Sequence, residues 1–380
     1  MAVHIPPWSA RALGFFGGFV VLIWVALSWM HANAIREEFL LPRPAQDGFP
    51  LEVLSNEAGR IVITRTPDSE REGFWGLETE DSYAQVTTIV RIDDETVERG
   101  VRTLEGEIPV GASARMNADA YTGDPLVAHG LGFEENFPIP SDIGPHDAWF
   151  IDGRRSTWVI FVHGRGVDRL GESLRIIPGL VEQGFPIVSM TYRGDLAATP
   201  NPSGMRLWGL DEWKDVEAAV ELANRKGAKD VVLVGSGFGA SIVSTFLHES
   251  EAIAGVRGVI YDSPMIDLEG VVSRWASDRS TPRLISWLGR RLTTIRFGME
   301  WDVLDQTSRT EDFDVPMLLL VGGEDPVTPI EELVAFGEDL GDLADVERFE
   351  QGGNADLWNI DVERYERVVA DFLFKIIGPE

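Results

Sequence analysis

From residue 148 onward the chain alternates short, continuously apolar runs with amphipathic stretches of helical period, and few architectures accept that pattern. The runs are 158–162 (WVIFV), 187–192 (IVSMTY), 231–234 (VVLV), 256–261 (VRGVIY) and 317–321 (MLLLV), and helical stretches such as 211–224 and 239–248 lie between them. A strand that is apolar at successive positions presents apolar side chains to both faces of its sheet. It therefore needs cover on both sides, which strand–helix alternation supplies by laying a mostly parallel sheet between two helical layers. Residues 148–380 are expected to form this α/β domain.

Chemistry-bearing residues fall at the ends of these runs. His163-Gly164-Arg165-Gly166 follows the first run. Gly235-Ser236-Gly237-Phe238-Gly239 makes a tight strand-to-helix turn after the third. Gly323-Glu324-Asp325-Pro326 follows the fifth, and Gly352-Gly353-Asn354 precedes a terminal helix. In content and order, the segment from 148 to the C-terminus resembles the α/β-hydrolase family, and most of all its bacterial membrane-anchored members. The resemblance implies an α/β-hydrolase fold, a helical lid at about 265–312, and an order of oxyanion loop, nucleophile, acid and histidine.

The resemblance also fixes which residues occupy the working positions. In G-x-S-x-G the central serine attacks, a histidine accepts its proton, and a carboxylate orients the histidine. The flanking Gly235 and Gly239 set the register, so the nucleophile position falls on Gly237, which has no side chain. The acid position is Asp325. The histidine position is Asn354, whose amide does not titrate near neutral pH and cannot act as a general base. The triad positions Gly237, Asp325 and Asn354 are thus read as vestigial, with no catalytic residues expected and Asp325 left to stabilise its turn. Ser236 is the fallback nucleophile if the protein is a rearranged esterase or lipase-like hydrolase. The carbonyl-binding positions implied by the family are His163, Gly164, Arg165 and Phe238, acting chiefly through backbone N–H groups.

The segment 12–30 (ALGFFGGFVVLIWVALSWM) has no charged residue. A run of roughly 18 or more apolar residues crosses a bilayer as a helix. Trp8 and Trp29 bracket it at about 30 Å, near the thickness of the hydrocarbon layer. A transmembrane helix or signal anchor is expected over 12–34, after a tail at 1–11 and before a linker at 35–50. Ala32-Asn33-Ala34 leaves a cleaved signal peptide open as an alternative. The membrane partner is the bilayer, through 12–30. The expected location is a single-pass cell-membrane protein with its main domain extracytoplasmic.

Residues 51–147 read as a small β-rich region. Arg60-Ile61-Val62-Ile63-Thr64 and the run 85–91 (QVTTIVR) are rich in β-branched residues. The region is either a separate accessory domain or an extension packed on the main one.

A net charge of −29 repels phosphate backbones and argues against nucleic acid. With no cysteine, disulfides and thiolate sites are excluded. No H-E-x-x-H or phosphate-cradling G-x-x-x-x-G-K run is present, so neither metal nor cofactor is expected. The expected role is that of a binding or accessory subunit of the cell envelope, meeting a membrane-protein partner or an envelope ligand, with a rearranged Ser236 esterase as the alternative.

Overall fold

The computed structural model describes residues 7–42, 48–164, 169–195 and 198–378. In chain order the first elements are α1 (Pro7–Ile35), continued by one π-helical turn, then β1 (Leu51–Glu57), β2 (Arg60–Thr64), β3 (Trp75–Thr79), β4 (Tyr83–Ile92), β5 (Thr96–Glu105) and β6 (Ser113–Asn117). There follow α2 (Pro125–His129), β7 (Ala148–Ile151), β8 (Thr157–Val162), α3 (Arg169–Glu182), β9 (Ile187–Met190), α4 (Trp213–Lys226), β10 (Asp230–Ser236), α5 (Phe238–Glu249) and β11 (Val256–Asp262). The last are α6 (Leu268–Asp278), α7 (Arg283–Phe297), β12 (Met317–Gly322), α8 (Ile330–Leu340), β13 (Ala344–Phe349), α9 (Leu357–Ile360) and α10 (Val362–Ile377).

The chain divides into two compact units. The larger comprises Pro42–Ile266 and Gln306–Glu380. Its main sheet has the order β13-β12-β11-β10-β8-β9-β7. Neighbouring strands are parallel except β7, which runs antiparallel to β9. β8 and β12 are buried along their whole length, as strands covered on both faces must be. This is the α/β-hydrolase fold.

β1 to β6 close into a small antiparallel barrel of order β1-β2-β5-β4-β3-β6. Burial alternates along β1 and β2, so Leu51, Val53, Ile61 and Ile63 fill the interior with Trp75, Leu77 and Val86. The regular strands stop at Asn117, short of the 147 expected for the β-rich region; 118–147 holds α2 and two isolated bridges.

Barrel and sheet share one compact unit, and Asn359 is the clasp between them. Its Nδ2 donates to the carbonyls of Phe74 (2.7 Å) and Ala118 (2.8 Å), and its own carbonyl accepts from the Phe74 N–H (2.8 Å). Its Oδ1 accepts from Arg175 Nη1 at 2.7 Å. Gly73 allows this approach: a Cβ there would lie 2.0 Å from the Asn359 carbonyl oxygen. Arg71 adds an ion pair with Asp356 at 2.5 Å.

The smaller unit groups residues 1–41 with Asp267–Asp305. The sequence reading had placed the segment 265–312 wholly in the larger domain. Its helical part instead clusters with α1, because α7 packs along that helix. An antiparallel bridge between Asp267 and Asp305 closes the insert at its base. The expected linker at 35–50 begins as helix, with Phe39 and Leu40 buried. Further towards the N-terminus α1 is exposed and apolar at Phe19, Val21, Leu22 and Val25.

Removing the Asn359 amide strands two carbonyls and one face of a buried guanidinium. Asn359→Ala is expected to cost about 3 kcal/mol, measured by chemical denaturation of the detergent-solubilised chain. A loss under about 1 kcal/mol would show that the clasp lies elsewhere.

Candidate active site

β10 ends at Ser236 and α5 begins at Phe238, so one residue makes the whole turn. That residue, Gly237, has φ 48° and ψ −108°. Its N–H donates to the Asp262 carbonyl (2.8 Å), and its carbonyl accepts from the Met265 N–H (3.2 Å). The three glycines of the turn serve different ends. A Cβ on Gly239 would lie 2.0 Å from the Val162 carbonyl oxygen, and one on Gly235 2.7 Å from Ala240 Cα. Both are demanded by close backbone approach. A Cβ on Gly237 would meet nothing within 4 Å. The apex therefore has the positive φ and the free space of a nucleophile position, and carries no side chain.

The acid loop leaves β12 and meets the turn after β13 through further glycines; a Cβ on Gly323 would lie 2.4 Å from the Glu350 carbonyl oxygen. Asp325 Oδ1 accepts from the N–H groups of Val327 (2.7 Å) and Thr328 (3.2 Å), the turn-stabilising role expected of it. Its Oδ2 accepts from Asn354 Nδ2 at 3.0 Å. Burial raises the Asp325 pKa above the usual carboxylate value, against the opposing pull of these donors. Asp325 and Asn354, from the loops after β12 and β13, are thus brought together by one side-chain hydrogen bond.

The remaining sequence candidates fare unevenly. Phe238 opens α5, its ring edge-on to Trp208 at 4.7 Å. Ser236 is 1% exposed, and its Oγ has no hydrogen-bond partner among the described residues. His163 is fully buried, stacked on Tyr192 at 4.5 Å, with Nε2 3.1 Å from Asp195 Oδ2 and Nδ1 2.9 Å from the Gly164 carbonyl. The Gly164 N–H, expected to bind a carbonyl, donates instead to Glu172 Oε2 at 2.8 Å. Glu172 is a buried carboxylate on α3 that needs donors, and the loop supplies one. Arg165 lies outside the described residues.

Sequence reasoning missed the charged layer beneath the site. Arg175 Nη1 donates to the Ala355 carbonyl (2.7 Å), and Ser263 Oγ accepts from the Ala355 N–H (3.0 Å). Together they fix Ala355 at φ 56°, next to Asn354. Asp262 accepts from Tyr365 Oη (2.9 Å) and Ser263 Oγ (3.0 Å). Burial pushes the Asp262 pKa up to about 6, although the Arg175 charge and the Tyr365 hydroxyl pull it back. The available signal was a Glu172/Arg175 pair one helical turn apart on an otherwise buried helix.

A family model described as the alpha/beta hydrolase family matches residues 159–371, and one described as a domain of unknown function (DUF8805) matches 52–117, the barrel. No curated protein matches. Among solved structures, a Pyrococcus furiosus esterase, Pf2001, aligns with a TM-score of 0.55 and 18% identity over 68% of this chain and 96% of that one. A puromycin hydrolase aligns at 0.53 and 18% over 86% of this chain and 47% of that one. The alpha/beta hydrolase GrgF from Penicillium sp. sh18 aligns at 0.50 and 14% over 66% and 100%. At such identities the likeness establishes the fold alone.

Two predictions follow from the geometry. Gly239→Ala should prevent folding or cost more than about 3 kcal/mol through its backbone clash, whereas Gly237→Ala should cost only about 1 kcal/mol, the strain of a positive φ. Equal losses in thermal denaturation would contradict the described turn. The second concerns Asp262. Its carboxyl holds a proton to higher pH in the folded chain than the ordinary 3.8, so stability present below about pH 4 is lost as pH rises through about 6. The shift amounts to on the order of 3 kcal/mol. Asp262→Asn should flatten that limb of the stability–pH curve, and an unchanged slope between pH 4 and 6.5 would refute the assignment.

Proposed function

The chain belongs to the alpha/beta hydrolase family, and we propose that it is a membrane-anchored member that keeps the family's site geometry without its chemistry, acting as a binding or accessory subunit of the bacterial cell envelope. One observation carries the proposal: the acid Asp325 is hydrogen-bonded to the amide of Asn354, while the turn apex is Gly237. Acyl transfer needs an attacking atom at the apex and a base that can take its proton and return it. Glycine lacks the first, and an amide cannot be the second at neutral pH. The other described histidines of the larger unit are engaged elsewhere: His129 with the Leu174 carbonyl, His146 with Asp215, His248 with Gln306.

A binding role draws on what needs no side chain. The Phe238 N–H stands in the first turn of α5, where a helix offers no backbone acceptor of its own. The anchor reading is supported by α1 and the π-helical turn that continues it, of which Gly18–Leu40 is long and apolar enough to span a bilayer. An extracytoplasmic main domain fits a chain without cysteine.

A working esterase built on Ser236 is the second reading. Its support is the unpartnered Ser236 hydroxyl. Its difficulty is the missing base: the Ser236 hydroxyl has no hydrogen-bond partner among the described residues, a histidine included.

A fluorophosphonate probe on the detergent-extracted full-length chain separates the two. No labelling of the natural protein is expected, with labelling appearing in the Gly237→Ser/Asn354→His double variant. Labelling of the natural chain that disappears in Ser236→Ala would overturn the non-catalytic reading.

A further inference from the structure

We propose that α7 is an interfacial helix that lies in the headgroup layer of an anionic bilayer, with Leu284, Trp287 and Ile295 turned towards the acyl chains. The proposal rests on the reading of α1 as a membrane span.

The first observation is where α7 sits along α1. Its buried stripe, Ile285, Ser286, Gly289 and Thr293, belongs to the helix that packs on α1. Gly289 sets the closeness, since a Cβ there would lie 2.6 Å from the His31 ring. Near the C-terminal end of α7, the Arg296 guanidinium lies 3.6 Å from the centroid of the Trp29 ring, and Arg36 lies 5.7 Å from that of Phe297. Trp29 is the penultimate residue of the uncharged run 12–30. Tryptophan prefers the boundary between hydrocarbon and water, so α7 is held at the level where α1 would leave the membrane.

The second observation is the opposite face of α7. Leu284, Trp287, Arg291 and Ile295 are spaced by three, four and four residues and form one stripe. Leu284 is 50%, Trp287 47% and Ile295 78% exposed. Three large apolar side chains exposed on one face of a helix are costly to leave in water. Arg291 lies over the Trp287 ring at 5.7 Å, placing a cation directly above the apolar stripe.

The third is charge. The protein carries −29 overall, yet α7 holds Arg283, Arg290, Arg291 and Arg296 and no acidic residue. Arg290 is neutralised by Glu269 at 3.1 Å. Glu300 and Asp302 line the flank of the helix beside it. Arg283 and Arg291 have no carboxylate within 4 Å among the described residues. An apolar face with one arginine within it and one beside it, neither paired with a carboxylate, matches an interfacial helix: the stems run along apolar surface while the guanidinium groups reach lipid phosphates. Anionic lipid is the chemistry that complements it. The rest of so acidic a chain would be repelled from such a surface, so the contact would be confined to this helix.

The natural chain has no cysteine, so single cysteines can be introduced without removing any. Leu284→Cys, Trp287→Cys and Ile295→Cys would be spin-labelled in the full-length protein, reconstituted in phosphatidylglycerol–phosphatidylcholine vesicles. Leu22→Cys on α1 serves as the lipid reference and Asp94→Cys as the water reference. Relative collision rates with oxygen and with a water-soluble nickel chelate report depth. The three α7 labels are expected to favour oxygen several-fold over the Asp94 label, and adding Arg283→Glu and Arg291→Glu should return them towards the water value. α7 labels in water with the Leu22 label in lipid would overturn the interfacial helix and leave the anchor standing. A Leu22 label in water would overturn both. α7 labels shielded from both reagents would overturn the proposal in favour of a protein partner on that face.

Discussion

A single buried cation organises the larger unit. Arg175 is 2% exposed and sits beneath the loop that carries Asn354. Burial by itself would lower its pKa, but the carboxyls of Glu172, Asp119 and Asp262 reverse the sign and raise it. Taking such a charge out of water is tolerable only where its donors are met and counter-charges surround it. The consequences reach every part of the site. Glu172, which balances Arg175, holds the Gly164 N–H. Arg175 itself holds the Ala355 carbonyl and the Asn359 side chain, and Asn359 in turn holds the barrel. The loop after β8, the Asn354 loop and the barrel are therefore tied to one guanidinium.

This explains how the turn and the Asn354 loop hold their form with glycine at the apex. None of the contacts that set Gly237 and Asn354 in place depends on a hydroxyl at the apex or an imidazole opposite the acid. The apex is set by backbone hydrogen bonds to Asp262 and Met265 and by two glycines that admit β8 and α5 at close range. The Asn354 loop is set by Ser263 and Arg175 acting on Ala355. Asparagine suits its position beside the acid, because its amide gives Asp325 one of the donors a buried carboxylate needs. Glycine fits the other, because a positive φ costs it little.

How much of this the sequence disclosed follows from the range of each interaction. The strands of the sheet were legible, since burial on both faces writes itself as a run of apolar residues, as in 158–162 and 317–321. The turn was legible because close backbone approach leaves glycine at fixed spacing. The barrel was legible only as β-branched runs, since closure is a matter of which strand meets which. The Gly164–Glu172 bond was missed because a loop N–H leaves no mark on residue type. The Asn359 clasp left no local mark, since its partners are 241 and 285 residues away in sequence. For the same reason the grouping of 267–305 with α1 could not be read from the local period of either segment.

The two ends of α1 put the same residue types to different uses. Around Ser28, His31, Ala32 and Ile35 the helix has a buried face, and small or polar residues occur there because another helix comes close, as Gly289 requires of α7. Around Phe19, Val21, Leu22 and Val25 it has none, and large apolar residues point in every direction. A helix meant for the interior of a soluble protein would be covered along its length, whereas only 22% of the candidate span is buried. Exposing that much apolar surface to water would cost several kcal/mol at roughly 25 cal/mol per Å². Among the residues whose burial is described, packing within the chain covers the helix only from Ser28 onward, and the exposed apolar stretch before it is the part that the proposed anchor would bury.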